Sequence, residues 1–215
     1  AEVDLAEGRL GQATDRFMSA LDLAPRNVRA LRSLVLVHQA RGELAEADLF
    51  LQRALRFHSS DPEVQLLAGQ SRLSFGGAAA VAIRHLETAV ELRDGAYPEA
   101  RLSLAEAYLL SDDPAAAADV LSPRAAATVG DHMVHYLRGL ALQRLARTDE
   151  AIASFAHALL LAPGEEVVRL ALEGLVIERA GSDHERYAKA RLCACRAELG
   201  LERFDEDRIG GHAES

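Results

Sequence analysis

Apolar and polar positions along this chain follow helical spacing, in which residues three, four and seven apart share one face. The pattern itself returns every 34 or 35 residues. The small residues Ala13, Ala47, Ala82, Ala117 and Ala151 mark the period. Phe17, Leu51, Leu86, Leu121 and Phe155 follow four positions later, then Ala20, Ala54, Ala89, Arg124 and Ala158. A fixed period of this size predicts a stacked array of helix pairs, each burying its apolar face against its neighbours. Small residues at a helix crossing let two axes approach to about 8–10 Å, and the aromatic residue or leucine fills the space beside them.

The punctuation fits the same frame. Gly8, Gly42 and Gly77 fall between paired helices, where a left-handed residue ends a helix at little cost. Asp112 and Ala146 stand in the later units, so those turns are expected to close differently. Asp113-Pro114 reads as a cap followed by a first-turn proline. Pro123 should end that second helix early, near Ser122, with a local break in the stack. First helices are expected to begin near Val28, Pro62, Pro98, His132 and Glu166, with Asp131 as the cap of the fourth.

Ala13-Phe17-Ala20-Pro25 and Ala151-Phe155-Ala158-Pro163 resemble the second helix of the tetratricopeptide repeat. The series Ala47-Leu51-Ala54 and Ala82-Leu86-Ala89 follow with leucine for the aromatic, and with Ser59 or Asp94 in place of proline. Arg124 makes the unit at 98–131 the least regular. First helices match less well: the family's tryptophan is absent, while Gly139 and Tyr108 fall at favoured places. The resemblance covers residues 1–165 well and 166–200 loosely. It implies an all-α, right-handed superhelical solenoid of antiparallel helix pairs. The expected repeats are 1–27, 28–61, 62–97, 98–131, 132–165 and a degenerate 166–200, forming one array rather than two compact domains. Residues 201–215 read as a polar tail or the start of a continuation.

Composition narrows the partners. The net charge of −9 weighs against nucleic acid, whose phosphates require a basic stripe. No apolar run is long enough to span a bilayer, so no transmembrane segment is expected. Of the basic residues only Lys189 is not arginine, a trait read as genome composition. Residues 1–7 read as the last turns of a helix whose beginning is missing, as in a fragment or a processed protein. Asp183 to Leu199 shows one further helical pattern, with Tyr187, Leu192, Cys195 and Leu199 as its apolar positions. An open array end leaves room for self-association. The compartment is not legible.

Candidate chemistry is sparse. Cys193 and Cys195 lie on nearly opposite helix faces and cannot bridge each other. His132 and His135 are one turn apart but lack the third and fourth ligands of a zinc site. No nucleophile–base set or phosphate loop occurs, and the acidic pairs read as caps and tail charges. Neither catalysis nor a metal or cofactor is expected.

The informative surface is the side that first helices turn inward, which in the resembled family holds an extended peptide or a partner helix. The expected groove comprises Arg29, Arg32, Leu36 and Gln39, then Leu66, Gln70 and Leu73. It continues with Leu102, Glu106 and Leu109, then Met133, Tyr136, Leu140 and Gln143, and lastly Leu170 and Ile177. Arg29 and Arg32 resemble part of the carboxylate clamp of chaperone-binding members, but Leu36 stands where that clamp needs asparagine. Leu66, Leu102, Tyr136 and Leu170 recur in phase as an apolar strip, with Tyr136 the strongest expected contributor. The expectation is a non-catalytic scaffold for a protein or peptide partner. The alternatives are the substrate-recruiting arm of a larger enzyme, or a self-assembling array with the groove or an open end as its interface.

Overall fold

The computed structural model describes residues 10–74, 76, 78–122, 131–180 and 187. These form ten helices and no strand among the described residues: α1 Leu10–Leu23, α2 Val28–Ala40, α3 Leu44–Phe57, α4 Pro62–Ser74, α5 Ala79–Glu91, α6 Pro98–Leu110, α7 Pro114–Val120, α8 His132–Arg144, α9 Thr148–Leu161 and α10 Glu166–Ala180. None of them is long and apolar enough to cross a membrane. The first helices α2, α4, α6, α8 and α10 begin at the five residues expected from the repeat. Side-chain caps set three of these starts. Asn27 Oδ1 accepts from the Ala30 amide at 3.0 Å, Asp61 Oδ1 from the Glu63 and Val64 amides at 2.9 and 3.1 Å, and Asp131 Oδ1 from the Met133 amide at 2.9 Å. Each bond satisfies a donor that the first turn of a helix leaves open.

The chain divides at Asp113/Pro114, inside the 98–131 repeat, into two compact units. In the first, α2 pairs with α3 and α4 with α5, and consecutive first helices α2, α4 and α6 also touch. In the second, α8 packs against α7 and α9, and α9 against α10. Helix α7 has 7 residues where the other second helices have 13 or 14, the shortening expected ahead of Pro123. Pro123, Arg124, the Asp183–Leu199 pattern (apart from Tyr187) and both cysteines lie outside the described residues.

The marker residues carry the core. Ala13, Ala82, Ala89, Ala117, Ala151 and Ala158 are fully inaccessible, as are Leu86 and Phe155. Gly69 and Gly139 show how closely two helices approach. A Cβ on Gly69 would lie 2.4 Å from Leu86 Cγ, and one on Gly139 would lie 2.7 Å from the Phe155 ring. Both neighbours are fully buried, so neither has room to retreat.

The turns correct one expectation. Asp112 and Ala146 do not close their turns differently: both adopt the left-handed conformation of Gly42 and Gly76, with φ of 59° and 56° against 75° and 67°. The hydrogen bonds also coincide. The amides of Glu43, Asp113 and Arg147 bond the carbonyls of His38, Tyr108 and Leu142 at 2.8–2.9 Å, each reaching back five residues. This closure satisfies carbonyls that the helix end would otherwise leave open, whatever residue occupies the left-handed position. In the 62–97 repeat that position belongs to Gly76; Gly77 lies outside the described residues.

Candidate functional site

Four of the expected groove residues come together in the first unit. Arg32 and Leu36 on α2, with Leu66 and Gln70 on α4, line an open concavity of about 380 Å³. Glu63, Leu67, Arg93, Tyr97 and Glu99 complete its wall. Leu36 remains 47% exposed and Leu66 half-buried, so apolar surface faces solvent at this point.

The concavity is braced by polar contacts between successive repeats. Glu63 bridges Arg32 and Arg93, the latter at 3.3 Å. The Arg93 guanidinium lies 4.4 Å from the centre of the Tyr97 ring, a cation–π contact. Arg32 is therefore held by a carboxylate of the chain itself rather than left open as part of a clamp. Further along the same helices, Gln39 Nε2 donates to Ser71 Oγ at 2.7 Å and Gln70 Nε2 to Ser103 Oγ at 3.0 Å. These bonds tie α2 to α4 and α4 to α6 through two buried serines.

Glu63, Arg93, Tyr97, Ser71 and Ser103 were not among the expected site residues. A signal for two of them existed. Pro62 and Pro98 are 36 residues apart where the other first-helix starts are 34 apart. The longer turn bends through Asp94 and Gly95 at positive φ, with the Gly95 amide bonded to the Val90 carbonyl at 2.9 Å, and it carries Arg93 and Tyr97. Tyr97 also occupies the frame position where Asn27, Asp61 and Asp131 serve as caps. It makes no side-chain cap; Pro98 at the helix start removes one of the open donors instead. Nothing in the periodicity distinguishes Ser71 and Ser103 from other small core residues.

The remaining expected residues divide by exposure. Arg29, Glu106 and Gln143 are exposed, as are Leu170 and Ile177, at 55% each. Leu73, Leu102, Met133, Tyr136 and Leu140 are half-buried, and the Tyr136 ring lies 6.0 Å from that of Phe155. Leu109 is a correction: it is 7% exposed and belongs to the packing of α6, not to an accessible wall. Burial by the surrounding protein raises the Glu106 carboxyl above the usual carboxylate range although the residue keeps an open surface. Tyr108 donates to Glu87 Oε1 at 2.6 Å; burial and then this bond push its hydroxyl up to about 12.

A second concavity, of about 410 Å³, opens on the side of the second helices α1 and α3. Met18, Leu49, Phe50 and Arg53 line it, with His38 stacked on Phe50 at 5.3 Å and bonded to Glu43 at 2.7 Å. Its arginine is engaged, since Arg53 donates to the Pro25 carbonyl at 2.7 Å. In the second unit His135 packs edge-on against His157 at 5.1 Å, while His132 lies 3.9 Å from Asp131. No group of three His, Cys, Asp or Glu able to hold a metal converges among the described residues.

Known proteins share this architecture. The chain is similar to MamA (residues 41 to the end) from Desulfovibrio magneticus RS-1, at 21% identity over 82% of this chain and 97% of that one, with a TM-score of 0.65. It is similar to YrrB, described as a tetratricopeptide-repeat protein with an unusual peptide-binding site, at 17% identity over 86% and 95% with a TM-score of 0.66. PilF of Pseudomonas aeruginosa is 19% identical over 91% and 85%, with a TM-score of 0.72. No curated protein matches. Residues 4–70 match the tetratricopeptide repeat family model, and the same markers recur in phase beyond them. Paired helices that cross at small residues and close by one repeated turn give the chain the fold of a tetratricopeptide-repeat array, the family whose model matches residues 4–70.

Proposed function

We propose that the chain is a binding module without catalytic chemistry of its own, holding a segment of a protein partner against its first helices. One observation carries the reading: two successive first helices bring Arg32, Leu36, Leu66 and Gln70 to a single open concavity with accessible leucine surface. A hollow that sets leucine surface among oriented charged and polar groups suits an apolar side chain fixed in register by hydrogen bonds. The peptide-binding site of YrrB, a neighbour in fold, supports the class of ligand. In the second unit Tyr136 and Leu140 occupy the equivalent first-helix face, and we assign them the same role there.

The test is capture of partners by the full chain, comparing the unaltered protein with Leu36→Ser/Leu66→Ser. Both leucines keep solvent contact, so helicity should survive the change. Capture should fall by about tenfold or more, as for anchors at the centre of an interface. The exposed second-helix change Arg84→Ala should leave capture unchanged. Loss with Arg84→Ala and none with the leucine pair would move the interface to the second helices, where the Met18–Leu49–Phe50 hollow lies.

A further inference from the structure

Helix α6, which contributes Glu99 to the concavity, carries a charge pattern that the arginines opposite do not answer. Arg32 and Arg93 are both engaged by Glu63, and Arg29 has an interaction of its own. Glu99 and Glu106 differ. Neither makes a hydrogen bond or ion pair among the described residues, and both are exposed. They are seven positions apart on α6, hence two turns apart on one face, about 10 Å along the axis. Leu102 lies between them on that face and is half-buried. Glu99 lines the concavity itself, while the Gln70–Ser103 bond ties α4 to the turn before Glu106.

This face of α6 reads acid, apolar, acid at helical spacing. Its complement is a surface reading base, apolar, base with the same spacing. A helix supplies that spacing directly, because residues i, i+4 and i+7 share a face. An extended strand would span the distance in about three residues, which places the two bases on opposite faces. We infer that the segment held against α6 is a basic amphipathic helix, with Lys or Arg two turns apart and an apolar side chain between them. The inference rests on the binding reading above and adds the chemistry of the partner. A net charge of −9 favours the encounter with such a helix, and the placement of Glu99 and Glu106 sets its register.

The probe is a fluorescent helical peptide of about 20 residues, long enough to hold helix in water. It carries Lys at i and i+7 and Leu at i+4 on an Ala/Gln background, with a counterpart bearing Glu for both Lys. Anisotropy on the full chain should show binding of the Lys peptide, with the Glu peptide weaker by at least tenfold. Glu99→Gln/Glu106→Gln should weaken the Lys peptide by about tenfold, as two partly exposed ion pairs would, and should remove most of its salt dependence. Asp22→Asn/Glu91→Gln, which removes the same charge from exposed sites elsewhere, should change little. If both peptides bind alike and both weaken with Leu66→Ser, the groove stands and its basic specificity is overturned. Equal loss with the two charge variants would reduce the attraction to bulk charge and overturn the inference. Absence of binding by the Lys peptide also overturns it, while capture with the leucine variants decides the groove separately.

Discussion

In the hairpin of 28–57, Val35 on the first helix shares a buried cluster with Ala47 and Leu51 on the second. In the hairpin of 132–161, the residue at Val35's place is Gly139, and Phe155 stands in Leu51's place with its ring 2.7 Å from where a glycine Cβ would be. The two crossings fill the same volume with opposite size choices: medium against medium, and nothing against large. The hairpin of 62–91 is a third variant, with Gly69 against Leu86 at a still closer approach. Size at a crossing is therefore a property of the pair, and neither marker residue is interpretable alone.

The most disruptive way to break the comparison is to empty the crossing that relies on one ring. Phe155→Ala should destabilise by about 3–5 kcal/mol, because Phe155 is fully buried and Gly139 cannot fill the space left behind. Urea unfolding followed by circular dichroism measures this, and a loss below about 1 kcal/mol would show that the site collapses freely.

Gly139→Ala tests the opposite error. Overpacking against the ring should cost roughly 1–3 kcal/mol, of which better helix propensity offsets about 1. Adding Phe155→Leu should recover most of the loss. In the other hairpin Leu51→Phe should destabilise, and Val35→Gly should partly rescue it. A double-mutant cycle in either hairpin with coupling near zero would contradict the pairwise account.

The turns sharpen the comparison further. Gly42 closes the hairpin of 28–57 without strain, whereas Ala146 closes that of 132–161 at a φ of 56°. Left-handed backbone costs a residue with a Cβ about 1–2 kcal/mol, and the greater freedom of unfolded glycine returns part of this. Ala146→Gly should therefore stabilise the protein by about 0.5–1 kcal/mol, while Gly42→Ala should destabilise it. Asp112→Gly should gain less, since aspartate tolerates this conformation better than alanine.

The smallest expected effect is electrostatic. Burial, then Arg72 and Arg84, hold the His85 ring below its ordinary 6.5, and its Nδ1 lies 2.7 Å from Gln65 Oε1. The unfolded chain binds that proton more readily than the folded one. The contribution of His85 is thus fully present above pH 6.5 and is lost as pH falls from there through its lower folded value. His85→Gln should flatten this part of the pH profile. An unaltered slope would assign the loss to other groups.

The α-helical repeat, its period and every first-helix start were legible in the sequence, because capping, apolar spacing and proline placement are local signals. Part of the candidate site was legible too: Arg32, Leu36, Leu66 and Gln70 follow from position within the repeat. Glu63, Arg93 and Tyr97 were not, although the 36-residue interval between Pro62 and Pro98 marked the turn that carries two of them. Leu109 was misplaced because helical spacing defines a face without saying how far a neighbouring helix covers it.

The sequence by itself determined the order and length of the helices, the small residues at their crossings and the excess of acid. Tertiary structure alone decided which partner fills each crossing, which leucines keep contact with solvent and which carboxylates are left without a cation. That Asp112 and Ala146 turn like glycine is instead a local matter of the backbone closure at the helix end, which the residue type at the position does not reveal. The physical reason is that periodicity records the local geometry of one helix, whereas burial and ion pairing depend on side chains about 30 positions away, brought close only when successive repeats pack.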